Sequence, residues 1–140
     1  MKAALRDDAG QAAVFTLILV PALLLIAALL LDAGLALSAK TRALDVAQAA
    51  ARAGAQHLDL AAYRNGGAVR LDAGRASAAA GAWLVSAGMT GEVTVAGASV
   101  TVTAHTTRRT QLLQLVGVRE LHMSASATAT ARRGVSVPDP

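Results

Sequence analysis

Three histidines, His57, His105 and His122, are the side chains best suited to ligate a metal or move a proton near neutral pH. Their spacing does not make a ligand set. None stands in an H-x-x-x-H pair, and Asp59 and Glu120, each two residues from a histidine, complete no ligand motif. His105 and His122 are expected on the wet face of a sheet, facing each other. There a shared metal is the sharper reading and a pair of ordinary exposed histidines the plainer one. Serines are plentiful, but no G-x-S-x-G turn presents one as a nucleophile, and Gly66-Gly67 alone does not cradle a phosphate. The absence of cysteine removes thiol nucleophiles, thiolate zinc sites and disulfides together. The paired acids Asp7 and Asp8 lie ahead of a long apolar run, apart from every other candidate. These residues point to no catalytic group, no metal and no cofactor, and the expected protein is not an enzyme.

The apolar run reaches from Ala12 to Leu31 without one ionisable side chain. About 20 apolar residues at 1.5 Å rise make a helix of about 30 Å, the hydrocarbon thickness of a bilayer. Residues 12–31 are therefore expected to form a transmembrane helix behind a tail or leader at 1–11. A cleavable export signal is the alternative, with Lys2 and Arg6 as its positive start and Ala36-Leu37-Ser38 as a small-x-small site. Signal cores usually run about 7 to 15 residues, and Asp32 precedes the proposed cut, so a retained anchor is the preferred reading. Pro21 removes the hydrogen bond to the Leu17 carbonyl and should kink the span. It is either a harmless bend in a lone anchor or a shape suited to packing in a bundle.

About 110 residues remain beyond Leu31, enough for one small domain. The chain is 54% hydrophobic but only 2% aromatic, so its apolar mass is Ala, Leu and Val, suited to close packing rather than to stacking pockets. Its net charge of +4 and pI near 10.7 come from dispersed arginines. With one Trp, one Tyr and one Phe there is no stacking platform, so nucleic acid is not an expected partner.

Helix is expected to continue through residues 32–58, with Leu44, Ala47, Ala51, Gly54 and Leu58 recurring on one face as a helix-packing stripe. Gly54 marks either fraying or the close approach of a neighbouring backbone. A turn-rich linker covers 59–73. A second helix starts near Asp72 or Ala73, with Ala76, Ala79, Ala80, Trp83 and Leu84 as its buried face and Gly88 beyond its end. From Thr90 the period falls to two. Val93 and Val95, a turn at Ala96 to Ser99, then Val100 and Val102 make a hairpin; Thr110 to Val116 is a short helix or turn ending at Gly117; and Leu121 to Ala131 alternates as a third strand with one wet face. The fold class is α+β: a long N-terminal transmembrane helix with an amphipathic extension, a second helix and a small three-stranded antiparallel sheet in a head spanning 74–133. Residues 134–140, with Pro138 and Pro140, are expected to be a disordered tail.

The run Asp8 to Phe15, the apolar span with Pro21, the Asp32-Ala33-Gly34 that follows and the basic, Ala-rich stretch from Lys40 to Ala55 resemble the TadE/TadG-like proteins of the tight-adherence (Flp) pilus system. The match is sharpest over about the first 55 residues. The resemblance implies a bitopic, pseudopilin-like bacterial membrane protein, its N-terminus in the cytoplasm and its head outside. Its expected partners are the membrane, pilus-assembly or pseudopilin-like proteins, and other copies of itself. In TadE-type members a prepilin peptidase cuts after a glycine and a glutamate stands five residues on. Carried over, the processing site falls between Gly10 and Gln11, but the fifth residue is Phe15, and the uncleaved TadG-like branch fits better. The expected function is a minor pilin-like component of a Flp/Tad-type assembly or related secretion system, acting by helix packing and by presenting an external head. The alternative is a surface-anchored binding module whose basic head holds anionic polymer or lipid.

Overall fold

The computed structural model describes residues 5–132. The tail expected over 134–140 and the first residues of the leader lie outside the described residues.

Helix α1 runs unbroken over Leu5–Ala55, 51 residues, with Pro21 inside it. An Ala- and Leu-rich sequence loses little side-chain entropy in a helix, which is why it persists through one proline. At 1.5 Å per residue it is about 75 Å long. It ends at Ala55, not near Leu58 as the sequence suggests. There the backbone tightens, Gln56 N–H donating to Ala53 O at 3.4 Å and His57 N–H to Gly54 O at 3.1 Å, and Leu58 pairs with Leu71 in an isolated antiparallel bridge.

The linker carries more structure than its glycines suggest. The Asp59 carboxylate accepts from the backbone N–H groups of Ala61 and Ala62 and starts a one-turn helix, α2, Leu60–Arg64. Asp59 N–H donates to Arg70 O and Asp72 N–H to His57 O, both at 2.9 Å, which closes the linker into a loop. Asp72 caps the next helix, α3, Ala73–Ser86, by accepting from Arg75 N–H at 3.1 Å.

Strands β1, Thr90–Ala96, β2, Ser99–Arg109, and β3, Glu120–Thr130, form an antiparallel sheet in that order. Alternation sorts its two faces. Val93, Val95, Val100, Val102, Ala104, Ala125, Ala127 and Ala129 face the helices, and Val100 and Val102 are the largest fully buried side chains. The outer face is a ladder of hydroxyls: Ser99 with Thr130 at 2.9 Å, Thr101 with Thr128 at 2.9 Å, and Thr103 with Ser126 at 3.3 Å. His122 Nδ1 lies 3.0 Å from the Thr107 hydroxyl, its cross-strand partner, while His105 sits opposite Ser124. The two histidines share the exposed face but are two residues apart in register rather than directly opposed.

The fold is thus two layers, the C-terminal half of α1 and α3 laid on the sheet. Its buried helix stripe is Ala39, Ala43, Ala47, Ala50, Ala51 and Gly54. Small residues let the layers close: a Cβ added at Gly54 would stand 2.9 Å from the Ala76 carbonyl oxygen and 3.2 Å from Val100 Cγ1. Gly54 is therefore a point of close backbone approach, not of fraying. On α3 the buried residues are Ala76, Ala80 and Leu84. Trp83 departs from expectation, being 47% exposed while its neighbour Leu84 is buried.

Candidate functional site

Among the described residues, Gly10 to Leu31 are exposed except for half-buried Ala28, and Phe15, Ile18, Leu24, Leu25, Ile26 and Leu30 are each more than half exposed. So large an exposed apolar surface marks contact with a membrane or with other proteins. The described helix is long and apolar enough to cross a membrane, with mean hydropathy 3.0 over its most apolar window and none of that window buried.

Where that surface ends, Asp32 begins the head. The residue is 3% exposed, and its carboxylate accepts three backbone N–H groups: Gln111 at 3.0 Å, Leu112 at 3.0 Å and Leu113 at 2.7 Å. These donors open the 3₁₀ turn Leu113–Val116, which has no other side-chain cap. The Leu113 N–H, with those of Gln111 and Leu112, holds the Asp32 carboxyl below the usual carboxylate range, against the opposing effect of its burial. The carboxylate thus clasps the β2–β3 loop to the helix where the apolar run stops.

The loop is ordered by its own backbone. At its neck buried Thr110 donates its N–H to Arg119 O at 3.1 Å and its hydroxyl to Val118 O. Inside, Leu115 N–H donates to Leu112 O, Val118 N–H to Leu113 O at 3.1 Å, and Gln114 Nε2 to Gln111 O at 3.0 Å. Gly117 ends the turn at φ 94°, a conformation that a side chain disfavours. Beside the exposed Gln111 and Gln114, apolar side chains are left outside: Leu115 is 79% exposed, Val116 60% and Val118 41%. Arg108, Arg109 and Arg119 flank them, all exposed, with Arg109 Nε 3.8 Å from the Glu120 carboxylate.

The sequence-predicted residues are distributed as follows. Gly10 and Gln11 are exposed within α1, one continuous helix across the expected cut. Pro21 lies in the exposed apolar half and lines a shallow concavity with Ala12, Ala13, Thr16, Leu17 and Val20. Ala47, Ala51 and Gly54 are buried, and the surface they meet is the chain's own head. Leu44 is 38% exposed beside that stripe, and Leu58 is 36% exposed beyond the helix end. Among the described residues no three His, Asp or Glu side chains converge as a metal site. Sequence reasoning passed over Asp32 as a clasp. The available signal was a single carboxylate directly after an apolar run, a position where an unpaired charge is costly and a partner is to be expected.

Residues 10–57 match the family model described as putative Flp pilus-assembly TadE/G-like. The match begins at Gly10 and closes just past the end of α1, so the resemblance read from the span, Asp32-Ala33-Gly34 and the Ala-rich helix is shown over that segment. No curated protein and no solved structure matches the chain.

Proposed function

We propose that this chain is a membrane-anchored, minor pilin-like component of a Flp/Tad-type pilus assembly or related secretion system, of the uncleaved TadG-like kind, with no catalytic role. The observation that carries the reading is the coincidence of the family match at residues 10–57 with one unpartnered apolar helix. That helix is the anchor, and the head stands on its far end, outside the cell.

The geometry narrows how the anchor works. Because the Ala47 and Ala51 face is taken up by the chain's own sheet, pairing with other assembly proteins falls to the exposed span around Pro21 and to the outer surfaces of the head. Phe15, standing where TadE-type members carry a glutamate, offers no carboxylate to neutralise a neighbouring amine in lipid. Intact mass and N-terminal sequence of the protein taken from membranes test this directly. A terminus at Met1 or Lys2 supports the uncleaved anchor, whereas a start at Gln11 rejects it in favour of a processed filament subunit. Photo-crosslinking from Val20 in the span tests the assembly role: adducts with pilus-assembly proteins are expected, and adducts with lipid alone would remove it.

A further inference from the structure

We propose that the β2–β3 loop, residues 110–119, is a second membrane contact, seating Leu115 and Val116 at the headgroup–acyl boundary of the leaflet from which α1 emerges. The inference rests on the reading of residues 12–31 as a span and adds to it a fixed pose of the head.

Four observations place the loop at that depth. First, its backbone is clasped to Asp32, the residue immediately after the apolar run, by three hydrogen bonds of 2.7–3.0 Å. A helix of about 20 apolar residues fills the hydrocarbon layer, so Asp32 stands at its edge and the loop stands beside it.

Second, the direction of β2 carries the loop toward the span. Val100, near the strand's start, packs by Gly54, while Thr106 and Arg108 line a cleft with Ala39 and Arg42, further down α1. The last pair of the sheet is Arg109 with Glu120, and the loop projects beyond it. Ala28, one turn below Asp32 on the same helix face, is half-buried where the rest of Gly10–Leu31 is exposed.

Third, Leu115 and Val116 do no work in the fold, unlike the half-buried Leu113 beside them. Its backbone is satisfied by Thr110, by Asp32 and by itself, yet Leu115 and Val116 stand 79% and 60% exposed. An ordered turn that holds leucine and valine outward presents them to another apolar phase. Fourth, the rim is cationic. Arg42, Arg108, Arg109 and Arg119 are all exposed at this end of the head, against Glu120 and Asp45. Apolar side chains ringed by arginine suit an interface of acyl chains below and anionic headgroups around.

The chain has no cysteine, so single-cysteine labelling of the full-length protein is unambiguous. An environment-sensitive fluorophore would be placed at L115C, at L24C in the span and at T94C on the exposed face of β1. Each variant would be reconstituted in nanodiscs of phosphatidylcholine and phosphatidylglycerol, with and without lipids bearing a quencher near the top of the acyl chain. Expected is quenching at L24C and L115C and none at T94C, with a blue-shifted emission at L115C. Quenching at L24C with L115C behaving like T94C overturns the loop contact while leaving the span intact, and leaves a protein partner as the occupant of the patch. No quenching at L24C overturns the span, and the loop contact with it. In nanodiscs lacking phosphatidylglycerol, weaker quenching at L115C is expected; unchanged quenching would remove the arginines from the contact.

Discussion

A carboxylate held by backbone N–H donors resists protonation, so the clasp at Asp32 carries a pH dependence of known sign. The folded pKa lies below the unfolded one. The clasp is therefore fully formed above the ordinary aspartate value of about 3.9 and is lost as pH falls through the lower folded value. In micelles, the amide resonance of Leu113 should titrate with a midpoint below about 3.9, and Asp32→Asn should remove that titration. A midpoint at or above the ordinary value would show that the three donors do not act together. Gly54 makes a second residue-scale prediction. A valine there would press on the Ala76 carbonyl at 2.9 Å and on Val100, and Gly54→Val should destabilise the head by about 1–3 kcal/mol, the usual cost of overpacking. Denaturant melts followed by circular dichroism would measure it.

At the scale of elements, two neighbouring residues of α3 test the layer packing. Leu84 is 3% exposed and Val85 is 77% exposed. Leu84→Ala should cost about 2–5 kcal/mol, and Val85→Ala should stay within about 0.5 kcal/mol. Equal costs would contradict the orientation of α3 on the sheet. The hydroxyl ladder of the outer face is a lesser contributor, because exposed cross-strand pairs stabilise by only about 0.2–1 kcal/mol each. Its effect is on register: a one-residue slip would turn Val100 and Val102 outward and the threonines inward.

For the whole molecule, the core defines what can be separated. Among the described residues, every buried core residue lies at Ala39 or beyond, and Gly10–Leu24 are exposed throughout. Residues 32–140 expressed alone should therefore fold as a soluble monomer with a dispersed amide spectrum, judged by nuclear magnetic resonance and size-exclusion chromatography. A fragment that aggregates or stays unfolded would mean that the span supplies part of the head's stability. Such a fragment would keep Asp32 and the loop but lose the membrane-spanning half of α1.

The sequence by itself determined what local physics decides. An uncharged run the length of a bilayer, the Asp72 start and Gly88 end of α3, the turn between Ala96 and Ser99, and the alternation from Leu121 onward each follow from spacing and residue type, and they fix an α+β head on a long helix. The cap that makes α2 was equally local, but the adjoining glycines masked it. The tertiary structure decided what pairs with what. Periodicity found Ala47 and Ala51 but not that the chain's own sheet covers them, and it drew Leu44 into the stripe because a leucine outweighs an alanine on any hydrophobic scale. Along α1 the layers pack at alanine distance and Leu44 is turned partly to solvent, while on α3 Leu84 is buried and Trp83 is not. Asp32 and the loop that it holds are some eighty residues apart in sequence. Only the folding of β2 alongside α1 brings those three amides to that carboxylate, and with them the exposed Leu115 and Val116 to the end of the apolar run.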